Sequence, residues 1–247
     1  MTAKEQDALK KAIDGCVRVL DRVLNIGIVV LGMLILFISA YSLLDHMWLY
    51  QNASDSSLLT YKPSPDAPEQ SGNKNQFLDG QVAWLCIEDT YIDFPVMQGE
   101  TNFDYLNKDP YGEYRISGSI FLDYRNHGDF SDDFSMIYGH HMDHYNMFGS
   151  LDLFTSEAYF HAHEDGWLAV KDRILGLKLF AVVWGDSKDK VMFSPQGRTA
   201  DEVLTYIKEK ALIYTAHQPG RRIVALSTCA GETSTSRLIV LGMIDER

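Results

Sequence analysis

The chain has 247 residues, of which 46% are hydrophobic and 23% charged, and its formal net charge at pH 7 is -12. This length and apolar content predict one globular domain plus a non-globular segment. The negative charge argues against a nucleic-acid partner and against docking on an anionic lipid surface. The three cysteines, Cys16, Cys86 and Cys229, show neither a Cys-x-x-Cys pair nor a zinc-ligand spacing, so we expect at least one free thiol.

The first recognisable element is an apolar run at residues 24–44 that contains no charged side chain. At 1.5 Å per residue, a helix of this length spans about the 30 Å of a hydrocarbon core, which predicts a transmembrane helix. Lysines and arginines precede the run, whereas the first one behind it is Lys62. The positive-inside rule therefore predicts a single-pass membrane protein with residues 1–23 in the cytoplasm and the rest outside. A cleaved signal peptide is the alternative, but residues 39–42 form a poor cleavage site.

Residues 45–76 have the composition of a linker. After Tyr50 the segment is poor in large apolar residues, and Pro63, Pro65 and Pro68 lie among Ser, Asp and Asn. We expect an extracellular tether that reaches roughly 30 Å as a coil.

Residues 77–247 are predicted to form the globular domain. Short runs typical of strands occur at eight places, namely 82–87, 91–97, 118–123, 134–139, 166–171, 174–185, 223–228 and 237–244. Eight runs at this spacing predict a mainly β fold, a closed or nearly closed barrel. Helical insertions are expected at 102–106 and, more clearly, at 199–214, where apolar residues recur at helical spacing.

The last two runs bring two reactive side chains together. The first ends at Cys229 and, after seven small or polar residues, the second opens at Arg237. A loop this short joins only antiparallel neighbours, so both residues lie at the same end of the sheet. A thiol beside a fixed cation that can hold a developing oxyanion supplies two parts of an acyl-transfer site, and a base is the missing third.

Several motifs occur in a characteristic order. They read VAWLCIEDTYIDFPVMQG, TNFDYL, GSIFLDYRN, YGH followed by a polar segment and MF, LSTC, and an Arg that opens the last strand. The ordered set resembles the class B sortases, which are membrane-anchored cysteine transpeptidases of Gram-positive bacteria, over roughly residues 75–247. One departure is Ala225, where the family usually has Thr. We treat it as tolerated because we expect this position to point away from the face that carries Cys229.

The resemblance implies a sortase-like barrel with a helix in the connection before the strand that ends at Cys229. It also implies the catalytic roles: Cys229 as nucleophile, His140 as acid and base, and Arg237 as the group that holds the oxyanion. Further residues flank the motifs and are candidates for lining a peptide groove, although two of them, Leu106 and Tyr138, could equally belong to the core. These candidates are Asn102, Leu106, Tyr138, Ser227 and Thr228.

The function implied by the resemblance is cleavage of an Asn-Pro-x-Thr-like sorting motif, near the carboxyl terminus of secreted proteins, after its Thr. The acyl group would pass through a thioester to an amine of a peptidoglycan precursor, which anchors the protein to the cell wall. One alternative is a pilin-polymerising sortase with a pilin lysine as acceptor. Another is a membrane-tethered barrel that binds peptides without catalysis.

A zinc hydrolase is a third hypothesis, because six histidines fall in one third of the chain and His140 and His144 are four residues apart. The glutamate of a His-Glu-x-x-His motif is absent, however, and the glycines around this segment indicate a loop. The resemblance implies no metal and no organic cofactor, and the net charge argues against a nucleic-acid partner.

Overall fold

The computed structural model divides the chain into two compact units, Met1–Gln51 and Asn52–Arg247. The residues that it describes are 3–53, 56–63, 77–216, 222–229 and 235–245, with the backbone alone described at residues 3–5, 8, 9, 12, 46, 48–53, 56 and 229.

The first unit is formed by one long helix, α1 (Ala3–Ala53), whose last two residues lie past the boundary of the unit. Its stretch Ile13–Asp45 has a mean hydropathy of 2.6 and is long and apolar enough to cross a membrane. None of that stretch is buried against protein, and Leu36 and Phe37 are each 71% exposed. Exposed apolar surface of this extent is unfavourable in water and favourable in hydrocarbon. The predicted apolar helix is confirmed, and it extends on both sides of residues 24–44.

The second unit contains, among its described residues, nine strands, three α-helices and two 3₁₀ helices. The strands are β1 (Gln81–Ile87), β2 (Asp93–Met97), β3 (Ile120–Leu122), β4 (Phe134–His140), β5 (Asp165–Val170), β6 (Ile174–Asp186), β7 (Ala211–Tyr214), β8 (Ile223–Cys229) and β9 (Ser236–Asp245). The α-helices are α2 (Glu157–Ala162), α3 (Lys190–Phe193) and α4 (Ala200–Lys210), and the 3₁₀ helices are Ser56–Tyr61 and Phe148–Thr155.

Eight of the strands close into a barrel. Their order is β5-β1-β2-β3-β4-β8-β9-β6, and β6 pairs with β5 to complete the circle. Closure gives each of these strands two neighbours, so the barrel has no open edge of its own. β7 pairs with β6 from outside this circle. The predicted eight-stranded barrel is confirmed.

The strands pack on both faces. Side chains that point into the barrel form the main core, which includes Leu85, Ile137 and Leu226. On the outer face of β4, β8 and β9 a second core forms beneath α4. This helix starts with a capping box, in which Thr199 and Glu202 each accept the other's backbone N–H through their side chains.

Two predicted insertions differ from the structure. The helix expected at 199–214 ends at Lys210, because residues 211–214 form β7, where Ile213 is 8% exposed while Leu212 and Tyr214 are 54% and 38% exposed. That alternation has the period of a strand. Residues 102–107 form successive turns, so the helix expected at 102–106 is wrong.

Part of the segment predicted as a linker packs on the barrel unit. Leu58 and Tyr61 lie against a small outer cluster that contains Trp84, Cys86 and Trp167. Lys62 Nζ is 2.6 Å from the carboxylate of Asp93, which also accepts a hydrogen bond from the indole N–H of Trp84. Residues 45–53 of that segment belong to α1, and residues 54–55 and 64–76 lie outside the described residues.

Candidate active site

Two central strands end side by side at one mouth of the barrel. β4 and β8 are parallel, and their register runs from Phe134 opposite Ile223 to His140 opposite Cys229. Both strands end at that last pair. Neighbouring strands lie about 4.8 Å apart, so the backbones of His140 and Cys229 are adjacent.

Arg237, the third predicted residue, lies on β9, the strand on the other side of β8. β8 and β9 are antiparallel, as expected from the short loop, with a register from Ile223 opposite Met243 to Ser227 opposite Ile239. Continuing this register by two residues brings Arg237 opposite Cys229. The strand order β4-β8-β9 therefore arranges His140, Cys229 and Arg237 in one row across the mouth.

The side chains at the two ends of this row are half-buried. His140 Nε2 lies 2.7 Å from the main-chain carbonyl oxygen of Leu106. The guanidinium of Arg237 donates through Nη1 to the carbonyl of Ser236 at 3.2 Å, and it has further interactions. Leu106, a candidate for the peptide groove, thus contacts His140 through its main-chain carbonyl.

A buried carboxylate lies at the end of β3, which is the other neighbour of β4 in the barrel. Asp123 directly follows β3, its side chain is fully buried, and it forms a two-pronged ion pair with Arg125 at 2.8 and 2.7 Å. It also accepts from Asn102 Nδ2 at 2.9 Å and from the Tyr138 hydroxyl at 3.1 Å. Burial alone would raise the pKa of Asp123, but the hydrogen bonds from Arg125 and Asn102 outweigh burial and hold that pKa below its ordinary value.

Sequence reasoning missed this cluster. Arg125 also donates to the carbonyl of Phe193 in α3 at 3.0 Å, which ties the connection between β6 and β8 to the end of β3. One signal in the sequence could have found it: Asp123 ends an apolar run and Arg125 follows two residues later. A charged side chain next to a buried strand needs a partner of opposite charge, so this spacing indicates an ion pair.

The five groove candidates therefore fall in different settings. Asn102 and Tyr138 are half-buried and bind Asp123 with their polar groups. Ser227 and Thr228 are 0% and 5% exposed. Thr228 Oγ1 accepts the backbone N–H of Leu238 at 3.3 Å, so its hydroxyl joins β8 to β9.

The prediction that Ala225 points away from the face that carries Cys229 is wrong. Ala225 precedes Cys229 by four residues, and an even separation along a strand keeps two positions on the same face of the sheet. Ala225 is fully buried in the outer core beneath α4. A small side chain at this position fits that packing.

In the part of the chain that the structure describes, the histidines do not form a metal site. His141 binds Asp152 at 2.8 Å, His161 binds Glu164 at 2.7 Å and His127 binds Asp132 at 2.8 Å, each on the surface. His140 ends a strand while His144 has a φ of 57° in a turn, so the two do not share a helix face. Within the described residues, no group of three or more His, Cys, Asp or Glu side chains is arranged to hold a metal ion.

The chain has clear relatives although it matches no family model. It is 31% identical over 169 residues to sortase B of Staphylococcus aureus, which covers 66% of this chain and 69% of that protein. It is also similar to the crystal structure of a Streptococcus pyogenes class B sortase involved in pilus biogenesis, with 39% identity, a TM-score of 0.62, and coverage of 68% of this chain and 93% of that one. A substrate complex of Staphylococcus aureus sortase B gives 29% identity and a TM-score of 0.62, covering 68% of this chain and 81% of that chain.

Proposed function

The chain belongs to the class B sortases, cysteine transpeptidases that anchor or polymerise surface proteins, and from this premise we propose that Cys229 is its nucleophile, His140 its acid and base, and Arg237 its oxyanion-binding group. The observation that carries the proposal is the strand register, which sets His140 directly opposite Cys229 and, continued by two residues, Arg237 on the other side. A single peptide carbonyl at the barrel mouth is then within reach of all three.

The reaction proceeds in two acyl transfers. The Cys229 thiolate attacks the carbonyl carbon of the motif threonine and forms a C–S bond, while Arg237 holds the negative oxygen of the tetrahedral intermediate. The C–N bond breaks as His140 gives its proton to the leaving amine. An incoming amine then attacks the thioester carbon and loses a proton to His140, while the C–S bond breaks and Cys229 leaves as the thiolate. Thiolate and imidazolium have to be present together, so the ionisation of the pair is coupled.

The substrate that we propose is a secreted protein with a sorting motif of the Asn-Pro-x-Thr type near its carboxyl terminus. The acceptor is an amine of a peptidoglycan precursor, so the product is a protein anchored to the cell wall. Asn102, Leu106, Tyr138, Ser227 and Thr228 remain the candidates for the peptide groove. The burial of Ser227 and Thr228 favours contacts through their backbone.

A second acceptor has a specific observation in its favour. The chain is 39% identical to a Streptococcus pyogenes class B sortase that is involved in pilus biogenesis, and the match covers 93% of that structure. A lysine side chain of a pilin would replace the precursor amine in this case. The first acyl transfer would be the same.

The proposed membrane arrangement follows from the long apolar helix and the charges around it. Residues 1–23 lie in the cytoplasm, residues 24–44 cross the membrane once, residues 45–76 form the extracellular linker and residues 77–247 form the catalytic domain. Lysines and arginines precede the apolar run, whereas the first one behind it is Lys62, which supports this orientation.

Mass spectrometry of the acyl-enzyme tests the nucleophile. The full chain in detergent micelles is mixed with an Asn-Pro-x-Thr peptide and no acceptor amine, and we expect a thioester at Cys229 that carries the peptide up to its Thr. Cys229→Ala should give no adduct, whereas Cys86→Ala should give the full yield. Turnover that survives in Cys229→Ala but stops on addition of a chelator would instead favour the zinc hydrolase.

A competition between acceptors separates the two proposed products. The preformed acyl-enzyme is offered an equimolar mixture of a peptidoglycan-precursor amine and a lysine-containing pilin domain. A product mainly on the precursor supports cell-wall anchoring, and a product mainly on the pilin lysine supports pilus assembly.

A further inference from the structure

The contact between His140 and Leu106 defines where the ring can carry its proton. A main-chain carbonyl oxygen only accepts hydrogen bonds, and it lies 2.7 Å from His140 Nε2, so Nε2 carries the hydrogen. In the neutral ring one nitrogen donates and the other accepts. The lone pair of neutral His140 is therefore on Nδ1.

We propose that the Leu106 carbonyl is the positioning group for His140, and that Gly118 and Asp123 hold this carbonyl in place. The inference rests on the proposed role of His140 as acid and base. The carbonyl orients the ring, fixes the tautomer with hydrogen on Nε2, and commits proton transfer to Nδ1. Enzymes that activate a nucleophile with histidine commonly orient that base through a third group, and here a neutral backbone oxygen fills this role.

Gly118 is the first support of the carbonyl. Its φ is +58°, a conformation that favours glycine, and it is buried against the turn that contains Leu106. A Cβ added at Gly118 would overlap the Leu106 carbonyl oxygen and would lie 2.9 Å from both the Leu106 carbonyl carbon and the Tyr105 carbonyl oxygen. The next residue, Ser119, donates its backbone N–H to Tyr105 at 3.0 Å. Only a residue without a side chain lets this segment approach so closely.

Asp123 is the second support, because it binds one residue from the turn segment that contains Leu106 and one from the strand that carries His140. Its carboxylate accepts from Asn102, at the start of the turn segment that contains Leu106. It also accepts from the hydroxyl of Tyr138, which lies two residues before His140 in β4. One buried carboxylate thus connects the turn segment that contains Leu106 with the strand that carries His140.

The consequence for the reaction is a base that stays oriented in both of its protonation states. When His140 is doubly protonated, Nε2–H continues to donate to Leu106 and the proton on Nδ1 is the one transferred to the leaving amine. The carbonyl dipole also stabilises the imidazolium charge. The ring therefore does not reorient between the two acyl transfers.

The tautomer is measurable without any assay of activity. The full chain, labelled with 15N-histidine in detergent micelles, is observed by long-range 1H–15N correlation at a pH where the ring is neutral, and His140→Gln identifies the signal. We expect the pattern of the Nε2–H tautomer. A neutral His140 with its hydrogen on Nδ1 would overturn the proposal. If the tautomer is as expected but His140→Gln keeps full turnover, the proposed role of His140 fails and the carbonyl contact stands.

Gly118→Ala tests the support, and Gly112→Ala is its matched control. Gly112 has a φ of +89°, so alanine there suffers backbone strain as well, yet no heavy atom lies within 4 Å of an added Cβ. We expect Gly118→Ala to lower kcat ten- to a hundredfold, because a misplacement of about 1 Å at a reacting group has effects of this order. KM should change less than twofold and the His140 signal should become a mixture of tautomers, while Gly112→Ala keeps both at their original values.

Two results of this comparison would overturn the support by Gly118. One is an unchanged tautomer and kcat in Gly118→Ala. The other is an equal loss of kcat in both variants, since backbone strain alone would then explain it. If Gly118→Ala does not fold, the tautomer of the unaltered chain decides the proposal by itself.

Discussion

Two barrel strands each carry a cysteine, and their surroundings differ in ways that determine what a thiol can do. Cys86 lies in β1, packed on the outer face of the barrel against Trp84 and Trp167, and is 9% exposed. Cys229 is the last residue of β8, at the barrel mouth, with His140 opposite it on the neighbouring strand. A thiol in the first setting fills space, whereas the second position lies where two strands end, beside a histidine.

Each region also holds a carboxylate bound by a cation and an aromatic donor. Near Cys86, Asp93 is bound by Lys62 and by the indole of Trp84. Burial first, and then the charge of Asp93, raise the pKa of Cys86 to about 12. The nucleophile in thiol chemistry is the thiolate, so Cys86 is inert near neutral pH. Near the barrel mouth, the carboxylate of Asp123 forms an ion pair with Arg125 and accepts a hydrogen bond from Tyr138 of β4.

The largest expected effect separates the two cysteines directly. Cys229→Ala should lower transpeptidation by at least about a thousandfold, since removal of a nucleophile leaves only binding and electrostatic contributions. Cys86→Ala should leave kcat within about threefold and cost about 1–2 kcal/mol of stability from the cavity that it creates. Turnover of a fluorogenic sorting peptide by each full-length variant checks both. Equal rates for the two variants would remove the distinction between the cysteines.

Arg237→Ala should be the next largest effect. Loss of one oxyanion donor typically lowers kcat by about 10²–10³-fold, and KM should remain nearly unchanged if Arg237 acts in the transition state. Arg237→Lys should recover part of the loss through its charge, but a point charge replaces a planar fork of donors. Steady-state kinetics with the same peptide measures this. A loss confined to KM would assign Arg237 to substrate binding instead.

Some features of the fold and of the candidate site can be predicted from neighbouring residues in the sequence, and others cannot. The strand at residues 223–228 and its antiparallel neighbour were readable from β-branched runs and a short loop, and so was the closeness of Cys229 and Arg237. The parallel pairing of β4 with β8 has no local signal, because β5, β6 and β7 intervene in the chain. The choice of His140 as the partner of Cys229 therefore depended on family resemblance.

Two misses have the same physical origin, namely packing against distant residues. Residues 211–214 continue an apolar helical pattern, but pairing with β6 draws them into β7. A lone Asp123 after an apolar run does not reveal that Arg125, Asn102 and Tyr138 all reach it. Tertiary contacts decide both cases, and they are not encoded in the neighbouring residues.

The two carboxylates should differ in their effect on stability. Asp123→Asn leaves Arg125 without its buried partner and should destabilise the barrel by about 3–5 kcal/mol. Asp93→Asn is the matched control, because the side chains of both Asp93 and Lys62 are 30% exposed. Its cost should be about 1 kcal/mol, as for ion pairs open to solvent. Urea unfolding followed by tryptophan fluorescence measures both, and equal losses would contradict the contrast between the two regions.

The smallest expected effect is a dependence of stability on alkaline pH that comes from Cys86. In the unfolded chain this thiol releases its proton near its ordinary pKa of 9.0, whereas burial keeps it protonated in the folded barrel up to a pKa of about 12. Above pH 9.0 the unfolded state therefore binds fewer protons than the folded state, so stability falls as pH rises. The contribution is fully present below that pH and should decrease by about 1 kcal/mol between pH 9 and pH 10.

Tyrosines and lysines also titrate in this range, so the informative quantity is the difference between the unaltered chain and Cys86→Ala. Each is unfolded in urea at several values between pH 8 and pH 10. The unaltered chain should lose more stability than the variant, and the difference should begin near pH 9. Curves that stay parallel over the whole range would mean that the Cys86 thiol ionises alike in both states, and the outer face of β1 would then not be the protected environment that distinguishes it from the barrel mouth.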